Sequence, residues 1–230
     1  IVINGQKTFI TGAAEYPYML VLARDPKCED PKLAFSLFWV DAKAPGVKIN
    51  PLHKIGWHLV STCEVYLDNV VVEEKDMVGE EGKGFSYLMT ELAQERLVVA
   101  VRAAASVETF LQKTVDYTRE RKAFGQTVFE FQNTRFKLAE AKAQATMLRV
   151  FVDDCLAKAM RGELSAEVGA MCKLMGSEMQ GKILDELLQL HGGYGFMSEY
   201  MISRAWVDAR VARIYGGTSE IMKEIISRSL

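Results

Sequence analysis

Proline is confined to the first part of this chain, and its distribution divides the sequence into two structural regimes. All five prolines lie at or before residue 51, whereas residues 84–230 contain none. Proline inside a helix removes a backbone hydrogen bond and clashes with the preceding turn, so a long proline-free segment can be helical throughout. We therefore predict a β-rich domain over residues 1–83 and a helical domain over residues 84–230.

The first regime alternates short β-rich runs with turn signals, which is typical of an antiparallel sheet. Asn4-Gly5 and Pro45-Gly46 are dipeptides that favour turns between strands. The predicted strands cover residues 7–11, 18–23, 35–40 and 63–67, in a barrel-like domain. Because the chain opens on what looks like the middle of a hairpin, we also expect it to be a piece of a longer protein.

The second regime carries apolar residues at helical spacing and predicts an antiparallel bundle of long helices, which gives an α+β fold overall. The short link Arg161-Gly162-Glu163 separates two such stripes, and the second stripe stops at Gly192-Gly193. We interpret the second stripe, which is rich in methionine, as core rather than as a cofactor site. The first stripe is Phe136, Ala139, Ala143, Met147 and Val150; the second is Val168, Met171, Met175, Met179, Ile183, Leu187 and Leu190.

Composition excludes several classes of function. The formal net charge of −2 provides no broad basic surface for nucleic acid, and no apolar run is long enough for a membrane span. A content of 49% hydrophobic and 25% charged residues is ordinary for a soluble globular protein. The four cysteines form no C-x-x-C pair and the three histidines have no ligand spacing, so we predict reduced thiols, an intracellular protein and no metal site.

Glu95 is a carboxylate within an apolar helical pattern. Its spacing places it on the same helix face as its apolar neighbours, which predicts that the carboxylate is partly removed from water and can act as a general base. The alternative interpretation is a structural glutamate paired with Arg96 or Arg102. The apolar neighbours are Leu88, Leu92, Val99, Ala103 and Phe110.

Six segments, in order and spacing, resemble the acyl-CoA dehydrogenases over nearly the whole chain. The segments are Lys7-Thr8-Phe9-Ile10-Thr11, Leu92-Ala93-Gln94-Glu95-Arg96-Leu97, Arg121-Lys122-Ala123-Phe124-Gly125-Gln126, Phe131-Gln132, Gln189-Leu190-His191-Gly192-Gly193-Tyr194-Gly195-Phe196 and Ile214-Tyr215-Gly216-Gly217-Thr218-Ser219-Glu220-Ile221. The resemblance implies FAD, a β-sheet middle domain, a C-terminal helical bundle and a homotetramer built as a dimer of dimers. It also implies an acyl-CoA substrate, electron-transferring flavoprotein as electron acceptor, and a location in the mitochondrial matrix or the bacterial cytoplasm.

The position of the catalytic base distinguishes branches of this family. The medium- and short-chain branches carry it as the glutamate of a Tyr-Glu-Gly-Thr motif, and this chain has Tyr215-Gly216-Gly217-Thr218 instead. The isovaleryl- and long-chain branches carry it in a Glu-Arg-Leu motif, which matches Glu95-Arg96-Leu97. The chain therefore looks most like the long-chain branch. Glycine at 216 also leaves room for a carboxylate that arrives from another helix.

The implied reaction is α,β-dehydrogenation of a fatty acyl-CoA thioester to a trans-2-enoyl-CoA. Glu95 would remove the α-proton, hydride would pass to flavin N5, and the base residue's own backbone N–H would hold the thioester oxygen. Implied substrate-binding residues are Ala93, Gln94, Arg96, Gly216 and Gly217. Implied cofactor-binding residues are Phe9, Ile10, Thr11, Arg121, Gln132, Gln189, Leu190, His191, Gly192, Gly193, Thr218, Ser219 and Glu220.

Two other functions are compatible with the same residues. A flavin oxidase or monooxygenase on this fold would react with oxygen, although such oxygenases typically lack an abstraction base. A non-catalytic, oligomerising fragment is the second alternative, because the family's N-terminal helical domain does not appear in these residues. The sequence leaves the length and branching of the acyl chain open.

Overall fold

The computed structural model describes residues 1–230, which divide into two compact units, 1–90 and 91–230. No helix in the chain combines the length and the apolar character needed to cross a bilayer. The strands of the first unit are β1 (Val2–Thr11), β2 (Tyr18–Arg24), β3 (Phe35–Asp41), β4 (Val47–Pro51), β5 (Thr62–Val71) and β6 (Met77–Val78).

The first unit consists of two three-stranded antiparallel sheets, ordered β1-β5-β4 and β2-β3-β6. Alternate residues of each sheet face one shared core, in which Val40, Cys63 and Val70 are completely buried. The six strands remain in two open sheets and do not close into a barrel. The four predicted strand segments all lie within observed strands, whereas β4 and β6 were not predicted.

The two turn signals of this unit have different outcomes. Pro45-Gly46 does connect two strands, and Gly46 has φ of +90° with the carbonyl oxygen of Asp68 only 2.0 Å from where a Cβ would lie. The turn predicted at Asn4-Gly5 is wrong, because both residues lie inside β1 at a register shift against β5. There the Asn4 side chain accepts a hydrogen bond of 2.7 Å from the backbone N–H of Asn69.

Five helices follow, as the helical periodicity predicts. A short hairpin, β7 (Lys122–Ala123) and β8 (Gln126–Thr127), separates the first two helices. The second helix reverses into the third through Gly162, which has φ of +71°, and the Ser165 hydroxyl caps the third helix by accepting from the N–H of Val168. The helices are α1 (Gly84–Glu120), α2 (Gln132–Met160), α3 (Ala166–Leu190), α4 (Met201–Ala209) and α5 (Ser219–Ser227). The predicted α+β fold is confirmed.

Two glycines of α3 allow it to pack unusually close to α1. A Cβ added to Gly169 would lie 3.2 Å from the Cα of Ala93, and one added to Gly176 would lie 3.0 Å from the Cα of Ala100. Such distances leave no room for a side chain, so small residues on both helices determine how closely their backbones approach.

The first stripe, on α2, does not contribute to the core. Phe136, Met147 and Val150 are 63%, 64% and 65% exposed, and Ala139 and Ala143 are exposed beside them. The helix instead buries an adjacent face that is equally apolar: Leu138, Ala141, Ala145, Leu148, Val152 and Cys155.

The stripe of α3 is only partly core. Ile183 and Leu187 are buried as predicted, but Met175 is exposed and the other stripe residues are half-buried. The most buried part of this helix contains the glycines described above together with Cys172, Lys173 and Ser177. Small residues near the middle of the helix, together with Ile183 and Leu187 closer to its end, therefore face the neighbouring helices more than the methionines do.

Candidate active site

Helix α1 presents Glu95 and Arg96 to different surroundings. Arg96 is only 5% exposed, whereas Glu95 is exposed, so the burial predicted for Glu95 is wrong for this chain. The reason is that the buried face of α1 is centred on Ala100, Ala104 and Val107, and Glu95 lies almost opposite to it. Apolar residues surround this part of the helix, and their spacing alone does not identify the face that packs.

Arg96 joins α1 to the glycine turn that precedes α5. Its Nε donates a hydrogen bond of 3.5 Å to the carbonyl oxygen of Gly216, which lies 120 residues further along the chain. Burial lowers the pKa of the Arg96 guanidinium, and the negative charge of Glu95 opposes this effect. The Glu-Arg-Leu and Tyr-Gly-Gly-Thr segments are thus brought together in space.

The two glycines of that turn differ in the space around them. Both adopt left-handed backbone conformations, with φ of +64° at Gly216 and +102° at Gly217. An ideal Cβ at Gly216 meets no atom within 4 Å, whereas one at Gly217 would lie 2.5 Å from Cε of Met222. We call the direction in which a Gly216 side chain would extend the open side of the turn.

Lys173 holds the same turn from α3. It is completely buried, and its Nζ donates a 2.5 Å hydrogen bond to the carbonyl oxygen of Gly217. Burial and the nearby charge of Arg96 lower the pKa of the Lys173 ammonium, while Glu178 and Glu220 raise it. Lys173 is not among the site residues predicted from the sequence, although it interrupts an apolar helix just as Glu95 does.

Glu178 binds one residue before the glycine turn and one residue after it. Its Oε1 accepts hydrogen bonds from Arg213 Nε at 2.8 Å and from the Ser219 hydroxyl at 2.6 Å. Thr218 caps α5, since its hydroxyl accepts from the N–H of Ile221. Thr218, Ser219 and Glu220 therefore open a helix, where backbone N–H groups of the first turn have no intrahelical partner.

Five of the predicted cofactor residues line one cavity of about 520 Å³ at the end of α3. The guanidinium of Arg121 lies over the Tyr194 ring, 5.6 Å from its centre. An ideal Cβ at either Gly192 or Gly193 would meet no atom within 4 Å, so the backbone there is open to close approach. The five residues are Arg121, Leu190, His191, Gly192 and Gly193.

The His191 ring is part of the core behind this cavity. Its Nδ1 is 2.9 Å from the Leu187 carbonyl oxygen, and the ring stacks on Tyr117 at 4.3 Å between ring centres. Tyr117 in turn donates to the His191 carbonyl oxygen at 3.1 Å. Burial lowers the pKa of His191, which favours the neutral imidazole.

Gly195, which the sequence analysis also missed, fixes the same loop against α3. A Cβ on this buried glycine would lie 2.5 Å from the Leu188 carbonyl oxygen, a contact that no side chain can make. Sequence context alone could have identified it, because it follows Gly192-Gly193 in one short glycine-rich run.

The remaining predicted residues occupy less distinctive positions. Gln132 opens α2 and Gln189 lies near the end of α3, and both are exposed. Gln94 is exposed, whereas Ala93 packs against Gly169 of α3. These positions give no independent indication of a ligand.

In the first unit, the predicted flavin strand ends in a distorted segment of β1. Phe9 has φ of +64°, which is unusual for a bulky residue, and is 74% exposed. The register against β5 shifts between Lys7 and Ile10, and Thr11 is exposed at the end of the strand. Strained backbone of this kind is found most often at functional sites.

Comparison with known proteins identifies the family. The family model for the acyl-CoA dehydrogenase C-terminal domain matches residues 82–230, and that for the middle domain matches residues 1–70. The chain is 47% identical over 230 residues to the probable acyl-CoA dehydrogenase YdiO of Escherichia coli K12, and 42% identical over 231 residues to the mitochondrial long-chain specific acyl-CoA dehydrogenase of Sus scrofa.

The whole chain takes part in both alignments, but it spans only 60% of the bacterial relative and 54% of the mitochondrial one. A crystal structure of an acyl-CoA dehydrogenase from Geobacillus kaustophilus superposes with a TM-score of 0.95 at 40% identity, covering 99% of this chain and 60% of that one. Both the sequence comparisons and the structural superposition include residues of both units. The chain belongs to the acyl-CoA dehydrogenase family.

Proposed function

We propose that the protein containing this chain catalyses FAD-dependent α,β-dehydrogenation of a fatty acyl-CoA, of the long-chain class, to a trans-2-enoyl-CoA. The observation that carries the proposal is the hydrogen bond between Arg96 and Gly216. It brings the segment that contains Glu95 next to the glycine turn. Glycine at position 216 supplies no carboxylate of its own and leaves open space beside the turn. The similarity to a long-chain specific enzyme supports the substrate class.

Glu95 is the proposed base that removes the α-proton of the thioester. An exposed carboxylate is accessible to a substrate, but it is strongly hydrated and therefore a weak base toward carbon. We propose that water is removed from Glu95 as the acyl-CoA binds. Arg96, fixed by its burial, holds the adjacent backbone in place.

The thioester oxygen needs hydrogen-bond donors as negative charge develops on it. The N–H of Glu95 cannot serve as the resemblance implies, because it lies inside α1 and is used by the helix itself. We assign this role to the N–H groups of Gly216 and Gly217, which lie in a turn outside any helix.

The residues at the end of α3 fit a dinucleotide. The cavity there combines one arginine with two glycines at which no Cβ blocks the backbone, a combination suited to a pyrophosphate group. Bound FAD supplies the two-electron oxidation by accepting the β-hydrogen as hydride at flavin N5. Gln132, Gln189, Thr218–Glu220 and, in the first unit, Phe9–Thr11 are proposed as further FAD contacts.

Three further proposals complete this function. Residues 84–230 form the C-terminal helical domain and residues 1–83 part of the middle domain. Electron-transferring flavoprotein is the electron acceptor, as the family resemblance implies.

The protein self-associates through the exposed apolar stripe of α2 described above. Sedimentation of the full-length protein as a monomer at micromolar concentration would contradict this.

The function is tested by anaerobic titration of the full-length flavoprotein with acyl-CoA thioesters of increasing chain length. We expect rapid loss of the oxidised flavin absorbance, fastest with long straight chains, and slow recovery in air. Rapid reoxidation by air would indicate the oxidase alternative. Failure of every thioester to reduce the bound flavin would refute the proposed dehydrogenation.

We expect Arg121→Ala to weaken FAD binding about 10- to 100-fold, because a charge-assisted hydrogen bond to an anionic group contributes about 1.5–3 kcal/mol. The dissociation constant follows from quenching of flavin fluorescence by the apoprotein. Arg119→Ala is the matched control, since Arg119 lies on the same helix but over the Phe129 ring. Equal affinities in the two variants would remove Arg121 from the binding site.

A further inference from the structure

Lys173 is a fully buried ammonium, and this placement requires compensation. Moving a lysine out of water is costly unless its charge is paired and its protons are hydrogen-bonded. Here a second buried cation, Arg96, lies close enough to lower the pKa of Lys173 further. A hydrophobic residue at 173 would avoid both costs, so the ammonium must contribute through the contact that it makes.

The two cations contact consecutive carbonyl groups. Arg96 Nε donates to the oxygen of Gly216 and Lys173 Nζ to the oxygen of Gly217, from two different helices. Peptide planes in a glycine pair can rotate with little steric cost, because neither residue has a Cβ. With both oxygens held by buried side chains, the orientations of the 216–217 and 217–218 peptide planes are fixed, and the first of these sets the direction of the Gly217 N–H.

We propose that Lys173 is a positioning residue: with Arg96, its ammonium holds the Gly216-Gly217 peptide planes so that the open side of the turn faces the substrate thioester. This inference rests on the proposed dehydrogenation, because it assigns the turn to the site where the α-carbon is held. Lys173 acts through the Gly217 carbonyl and does not itself touch substrate. Glu178 stabilises the same arrangement by fixing Arg213 and Ser219 on either side of the turn.

The test compares Lys173→Met with Lys182→Met in the full-length flavoprotein. Methionine has a similar volume without the charge, and Lys182 is an exposed lysine on the same helix, with 65% of its side chain accessible. We expect Lys173→Met to lower kcat about 100-fold, the size of effect that a misplacement of about 1 Å produces, with little change in KM. The melting temperature should change little, since the cost of burying the ammonium disappears while the Gly217 carbonyl loses one hydrogen bond.

Hydrogen exchange gives a readout that does not depend on turnover. In Lys173→Met we expect faster amide exchange at residues 216–221, with unchanged exchange elsewhere in α3. A purely structural lysine would instead lower the melting temperature and loosen the whole helix. Unchanged kcat together with unchanged exchange in the turn would overturn the proposal.

The wild-type protein distinguishes failure of the proposed function from failure of the positioning role. If no acyl-CoA reduces its flavin, the proposed dehydrogenation fails. Amide exchange at residues 216–221 then still tests whether Lys173 holds the turn. Should Lys173→Met fail to fold, a crystal structure of the wild-type protein with a bound thioester analogue decides. Lys173 Nζ beyond hydrogen-bond distance of the Gly217 oxygen would refute the positioning role, and retention of the bond beside the thioester would support it.

Discussion

Replacing Glu95 by glutamine is expected to leave FAD bound but to slow flavin reduction by acyl-CoA about 10²- to 10⁴-fold, the usual contribution of a general base. Glutamine keeps the size and hydrogen-bonding shape of the side chain and removes only its ability to take a proton. Rapid mixing of each variant with substrate under anaerobic conditions measures the rate. Glu91→Gln is the matched control, because Glu91 is exposed one helical turn earlier on α1.

A second carboxylate position tests the geometry behind this result. In the Glu95→Gln background we expect Gly216→Glu to restore part of the rate, because a side chain there extends into open space, although its φ of +64° costs about 1–2 kcal/mol for a residue with a Cβ. Gly217→Glu should restore nothing, since its φ of +102° is strained for a residue with a Cβ and its side chain would point toward buried Met222 instead of into open space. Reduction by Glu95→Gln at the wild-type rate would end the assignment of the base.

Substitution of Gly176 by leucine is expected to destabilise the protein by about 3 kcal/mol, because the closest approach of α1 and α3 leaves no volume for a side chain. For a domain of this size, that corresponds to a fall in melting temperature of roughly 6–12 °C. The displaced helices carry Arg96 and Lys173, so flavin reduction should slow as well. Scanning calorimetry and the reduction assay measure the two effects.

Gly181→Ala provides the contrasting control within the same helix. Its added Cβ would have only Arg213 Cδ at 4.0 Å, so the gain in helix propensity should raise stability by about 0.5–1 kcal/mol. If Gly176→Leu melted at the wild-type temperature, the close approach of the two helices would not limit packing in solution.

Short β-rich runs between turn signals, and helical spacing, predicted most elements correctly, because both patterns report local geometry. The segment predicted over residues 18–23 agrees closely with β2 (Tyr18–Arg24). The short strand β4 (Val47–Pro51) was missed, since five residues ending in a proline give a weak strand signal. Asn4-Gly5 was misread because the same dipeptide suits a turn and an irregularity within a strand.

Burial was harder to predict than secondary structure. Helix α2 is apolar on two adjacent faces, and nothing in its spacing shows which face packs within the chain. The same ambiguity around Glu95 produced the wrong prediction of its burial. The contact between Arg96 and Gly216 joins residues that are 120 positions apart, so no local pattern could reveal it. Only the family resemblance linked those two motifs before the fold was known.

The uncovered face of α2 has a practical consequence for anyone who purifies this chain. From Phe136 to Val150 it displays five apolar side chains along about 21 Å of helix. Such an exposed apolar surface favours association with other proteins and aggregation. A preparation of the chain by itself is therefore expected to aggregate as it is concentrated. Keeping the protein dilute, with a mild detergent, will limit this aggregation.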